Sequence, residues 1–184
     1  TAGGCLILQT IVNRMGSDYV AAYAACMKIL TLFEQSSIAV GMTMLTFVGQ
    51  NLGAGKIERI RTGVRKGVLM ATIVNIPLAL AEIFIPGLLV SIMLNGTEPI
   101  AYSAQFLPIT GVGLFALGYL YVYRCSLQGL GNTVLPMFSG LIEVLMRLIF
   151  GVTVGVLSYR GIALSEVAAW VGAWLFLMGS YWYV

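Results

Sequence analysis

Apolar residues fill the chain in six long blocks separated by short polar or glycine-bearing links, and no block shows the alternation of a half-buried strand. The blocks run over about 1–13, 19–52, 62–86, 100–127, 134–157 and 162–184. Roughly 20 apolar residues cross a bilayer as a helix, so the last five are long enough. The first predicts the outer end of a helix whose beginning lies upstream of Thr1. Pro77 removes one helical hydrogen bond and predicts a kink in the third.

In lipid only helices and closed barrels satisfy every backbone group, and continuous apolar runs of this length exclude the barrel. The expected fold is an all-α integral membrane bundle of six helices, the first truncated. Composition agrees: 59% of the residues are hydrophobic and 9% charged, too few to cover a water-facing surface. The mean hydropathy is +0.95.

Charge sets the expected orientation. Lys56, Arg59, Arg61, Arg65 and Lys66 crowd the second link, which places it in the cytoplasm. Residues 68–123 carry no Lys or Arg, so the link Asn95-Gly96-Thr97-Glu98-Pro99 is expected outside, and the turn near Arg124 to Asn132 inside. Arg14 and Arg160 fall on outer links against this trend. Both ends of the segment then face the cytoplasm, in a multi-pass protein of the plasma membrane. A net charge of +3 gathered at one link argues against a nucleic-acid partner.

The chain has no His, and Cys5, Cys26 and Cys125 stand apart, so neither a zinc site nor a disulfide framework is expected. There is no GxSxG or HExxH pattern, which disfavours a membrane-embedded enzyme. Gly49-Gln50-Asn51-Leu52-Gly53-Ala54-Gly55-Lys56 suggests a phosphate loop, but Gly49 and Gly55 stand one residue too far apart and Ile57 follows the lysine. A helix ending at a glycine reversal, followed by a basic amphipathic segment at the headgroups, accounts for it better. Gly151-x-x-x-Gly155 reads as close helix packing. Trp182, with Tyr181 and Tyr183, reads as an interfacial anchor.

The run Val48 to Lys56 and the run Leu127-Gln128-Gly129-Leu130-Gly131-Asn132-Thr133 with Pro136 together resemble the multidrug and toxic compound extrusion (MATE) transporters. Asn13 to Gly16, Ala21-Ala22-Tyr23, and Glu143 with Arg147 add to the resemblance, which covers nearly the whole chain. It implies one six-helix lobe of a two-lobe, twelve-helix antiporter that exchanges protons or sodium ions for small organic, often cationic, compounds. Val12-Asn13, where the first lobe often carries an aspartate, favours the second lobe. Partners are then the other lobe, lipid and substrate, with a coupling H+ or Na+ and no cofactor. The alternative within the wider superfamily is flipping of a lipid-linked precursor, which calls for a wider and more basic cavity.

Several relatives in the family carry coupling carboxylates in the first and fourth helices of the second lobe. Here the fourth block offers only Gln105, Thr110, Tyr119, Tyr121 and Tyr123. The ionisable groups at membrane depth are therefore the candidates. Lys28, Thr31 and Gln35 share one face of the second helix and suit a cavity wall; Glu34 points elsewhere and, with Tyr119, is a further candidate for the substrate or ion pathway. Asn75 and Glu82 share a face of the third, Glu82 close to the outer surface and solvated. Glu143 and Arg147, four apart, are placed for an ion pair, read either as mutual neutralisation or as a carboxylate that titrates during transport.

Overall fold

The computed structural model describes residues 2–94 and 96–183, without the side chains of residues 2–5 and 7. Asn95 of the predicted outer link and the Cys5 side chain thus lie outside the described residues. Helices α1 (Ala2–Val12), α2 (Ser17–Gly53), α3 (Ile57–Phe84), α4 (Pro86–Ser91), α5 (Thr97–Gly129), α6 (Val134–Phe150) and α7 (Tyr159–Tyr181) follow one another, with a π-helical turn, Gly151–Gly155, closing α6. Among the described residues there is no strand, and five helices are long and apolar enough to cross a membrane.

Two boundaries differ from the sequence reading for a physical reason. α3 begins at Ile57 rather than near 62, because Ile60 and Val64 are buried against α2 and draw the basic segment into the spanning helix. The basic segment is thus the first turns of α3 and not a helix of its own. α4, a single extra turn and a half, begins with Pro86 at a helix start, where the missing N–H costs nothing. α3 itself runs unbroken through Pro77, which faces outward.

Central to the bundle is α5, packed against α2, α3 and α7, while α6 leans on α7 and α1 on α6. One end of the bundle, the motif end, holds the α2–α3 and α5–α6 turns. Both turns have the same construction. Gly55 has φ 69° and Gly131 φ 84°, left-handed values suited to glycine. The Gly55 N–H donates to the Leu52 carbonyl and the Lys56 N–H to Asn51, each at 2.9 Å. The Gly131 N–H donates to Gln128 at 2.9 Å and the Asn132 N–H to Leu127 at 3.0 Å. Each is a Schellman cap that satisfies the last carbonyls of its helix. Asn132 then accepts the Leu135 N–H at 3.1 Å, starting α6.

At the crossing of α2 and α5 a Cβ on Gly129 would lie 2.8 Å from the Leu45 carbonyl oxygen, so only glycine permits this approach. At the opposite end, a Cβ on Gly161 would fall 2.1 Å from the Val154 carbonyl oxygen, which presses α7 onto the π-helical turn. Gly151 and Gly155 are buried in that turn, in keeping with their packing role.

Candidate functional site

Five ionisable side chains from four helices meet near the middle of the bundle. Glu34 lies midway along α2, Arg124 near the motif end of α5, Glu143 and Arg147 one turn apart on α6, and Glu166 two turns into α7. Arg147 Nε donates to Glu166 Oε2 at 2.8 Å and its NH1 to Glu143 Oε2 at 3.4 Å. The other Glu143 oxygen accepts from Arg124, whose guanidinium also donates to Ser139 at 3.0 Å. The Tyr121 hydroxyl donates to Glu34 Oε1 at 2.7 Å, and its ring centroid lies 5.7 Å from the Arg124 guanidinium carbon.

Glu143, Arg147 and Glu166 are buried, and charges taken that far from water are tolerated when paired and hydrogen-bonded. A cavity of about 80 Å³ touches all five groups, with Thr31, Leu117, Leu120 and Trp170 in its wall. That volume holds small ions or waters. It is neither wide nor predominantly basic, as the lipid-flipping alternative would have it.

Fully ionised, the cluster holds three carboxylates and two guanidiniums, an excess of one negative charge. A single proton or monovalent cation balances it.

The direct Glu143–Arg147 contact foreseen from spacing is present, but it is the longest of the cluster's ion pairs. Arg124 and Glu166 supply the shorter ones. Neither was a sequence candidate, although Glu166 carried the available signal of an acid inside an apolar run. Glu34 does turn away from Lys28 and Gln35, and it turns into this cavity.

Lys28, Thr31 and Gln35 stay on the exposed face of α2, in line with Ala24, Ala39, Met42, Thr46 and Gly49. At steps of three and four these positions form one continuous stripe, small or polar except at Met42. Thr31 Oγ1 donates to Met27 and Gln35 Nε2 to Thr31, so their polar groups are partly satisfied along the helix itself. Tyr119 sits apart from the cluster, its hydroxyl 3.0 Å from Thr72 Oγ1 and its ring against Trp174.

The glycine motifs lie away from the cluster. Gly49, Gln50, Asn51, Gly53, Gly55 and Lys56, and Gln128, Gly129 and Gly131, build the two caps and their crossing; Pro136 follows in the first turn of α6. Asn51 bonds back to the Phe47 carbonyl at 2.8 Å. Their chemistry is that of helix termination.

Glu82 corrects the sequence reading. It is fully buried, not solvated, because α5 extends beyond it and α4 folds over that end of α3. Its Oε2 accepts from the Thr110 hydroxyl at 3.0 Å, and its Oε1 has no hydrogen-bond partner. Asn75, on the same face, is buried, donates to the Leu114 carbonyl at 2.9 Å and pairs with Ser37 at 3.3 Å, tying three helices together. Cys26 and Cys125 are buried free thiols.

Comparison with known proteins places this geometry in context. Residues 3–153 match the MatE family model. The chain is 21% identical over 184 residues to the Probable multidrug resistance protein YoeA of Bacillus subtilis (strain 168), covering 95% of this chain and 39% of that protein. It superposes on the inward-facing structure of a multidrug resistance MATE family transporter of the MOP superfamily with a TM-score of 0.84 at 18% identity, over 98% of this chain and 41% of the other. An outward-facing structure carrying the same description fits with a TM-score of 0.82 at 16% identity, over 98% and 40%. These likenesses establish the fold, and the chain spans about two-fifths of the length of the relatives it resembles.

Proposed function

Because this chain belongs to the MatE family, we propose that it forms one six-helix lobe, the second, of a two-lobe plasma-membrane antiporter that exports small organic compounds in exchange for H+ or Na+. The observation that carries the coupling is the charge count of the buried cluster: three carboxylates against two guanidiniums leave a place for one cation. A proton or sodium ion entering the cavity between Glu34 and Glu143 removes the excess charge. Its departure restores repulsion and releases the Tyr121 and Arg124 contacts that join α5 to α2 and α6. An ion that binds one arrangement better than another shifts the balance between them, as coupled transport requires.

The α2 stripe of Lys28, Thr31 and Gln35 supplies a wall for the cavity between lobes, since an exposed polar band along a spanning helix is poorly suited to lipid. Rocking of one half against the other around a midplane site suits a lobe that fits inward- and outward-facing relatives almost equally. The basic α2–α3 turn, and with it both ends of the segment, faces the cytoplasm on this reading.

The test is ethidium efflux from cells, and uptake into everted vesicles, expressing the full-length protein with proton and sodium gradients imposed separately. Collapse with one gradient names the ion. Glu143→Gln lowers gradient-driven transport while the protein still inserts; unchanged transport at normal expression overturns the assignment.

A further inference from the structure

A second cavity lies at the motif end, well away from the charged cluster, between the end of α2, the start of α3 and the last turns of α5 and α7. Its volume is about 340 Å³. Arg61 and Arg65 stand one turn apart on its rim, Tyr123, Tyr181 and Trp182 form its aromatic side, and Ile60 and Val64 lie in its apolar floor.

Tyr123 and Tyr181 pack edge to face with centroids 5.6 Å apart, and Trp182 lies against Tyr181 at 6.2 Å. Both guanidiniums lie within electrostatic reach of the Tyr181 hydroxyl. Arg61 meets Glu58 at 3.1 Å in a solvent-exposed pair, and Arg65 has no ion pair among the described residues. Residues 56–66 hold five basic side chains against the single acid Glu58, so the rim attracts anions.

What distinguishes this cavity from a general basic surface is its continuation along α3. On from Arg65, and within about 80° of it around the helix, α3 carries Leu69, Ile73, Ile76 and Leu80. All four are large, apolar and substantially exposed, between 44% and 59%. Unlike the stripe of α2, this one holds no polar side chain after Arg65. Fixed positive charge at the end of the bundle, an aromatic wall and a hydrocarbon track perpendicular to the headgroup plane match, in that order, the parts of a phospholipid.

We propose that this cavity binds an anionic phospholipid, its phosphate bridged by Arg61 and Arg65, its glycerol region against Tyr181 and Trp182, and an acyl chain along Leu69, Ile73, Ile76 and Leu80. Free phosphate shares the headgroup chemistry but gains nothing from the apolar track. The site therefore belongs to the lipid. A lipid held there ties α3 to the ends of α5 and α7, so its occupancy stiffens the motif end.

The test is native mass spectrometry of the full-length protein released from nanodiscs of phosphatidylglycerol mixed with phosphatidylcholine. The expected result is retained phosphatidylglycerol that falls about tenfold or more in Arg61→Gln/Arg65→Gln, two charges having been removed from the headgroup level. Lys66→Gln, which lies outside this cavity, keeps the lipid. Ile73→Ser lowers retention without altering charge. Millimolar inorganic phosphate and the deacylated headgroup do not displace the lipid. Retention unchanged in the double arginine variant overturns the proposal. So does displacement by phosphate as effective as by added phosphatidylglycerol, which would make the cavity an anion site only. Arg61→Lys/Arg65→Lys keeps the charge and guards against misfolding: a loss as large as that of the glutamine pair, in a protein that elutes normally, also overturns it.

Discussion

Two buried acidic sites in this bundle solve the same problem in opposite ways. At mid-depth Glu143 and Glu166 lie against the Arg124 and Arg147 guanidiniums, with one Glu166 oxygen left without a hydrogen bond. Elsewhere in the core Glu82 has a single hydroxyl donor and, among the described residues, no ion pair, with one oxygen unpartnered. Its surroundings are Thr110 on its own acceptor oxygen, the Cys26 thiol nearby on α2, and the apolar walls of α3 and α5. A carboxylate left alone in such a place is far costlier than the neutral acid. One site thus answers its carboxylates with guanidiniums and the other answers its carboxyl with a hydroxyl alone. Removing a partner should be ruinous in the first and mild in the second.

That contrast is broken most directly through Arg147. Arg147→Met strands the buried Glu166 and leaves Glu143 to Arg124 alone, and about 3–5 kcal/mol of stability should be lost. The measurement is the unfolding transition of the full-length protein in detergent, and a wild-type transition would mean that the cluster is not held by charge compensation. Glu166→Gln removes one charge-assisted bond and should cost about 2 kcal/mol, read in the same way. Tyr121→Phe deletes the hydroxyl bonded to Glu34 and should cost about 1 kcal/mol, with the larger effect on gradient-driven efflux. Smallest is Glu82→Gln, which keeps the shape and breaks no ion pair, and should shift stability by less than about 1 kcal/mol. A loss matching that of Glu166→Gln would show that Glu82 is ionised, and the distinction between the sites would fall.

The helices were legible because each must be long and apolar enough to cross lipid, and that length is written directly in the blocks from 19 to 184. Three of the five charged groups, Glu34, Glu143 and Arg147, could be read. Glu143 and Arg147 are one turn apart on a single helix, where spacing alone makes them neighbours. Arg124 pairs across 19 residues with Glu143, and Arg147 across 19 with Glu166. Such pairings depend on which faces of α5, α6 and α7 meet, and no periodicity within one helix encodes that. Arg124 was further masked by its use as a marker of membrane sidedness; α5 runs on to Gly129 and carries it inside. Glu82 was misplaced by a related error, since its distance from the helix end was counted while the cover supplied by α4 and α5 was invisible.

The two Schellman caps have a mechanical consequence. Three residues join α2 to α3 and four join α5 to α6, and a link that short spans only about 10–14 Å even when stretched. The paired helices are therefore clamped at the motif end like the arms of tweezers at their joined ends. Any splaying between them is amplified along their length, so the largest displacement between paired helices falls at the opposite end.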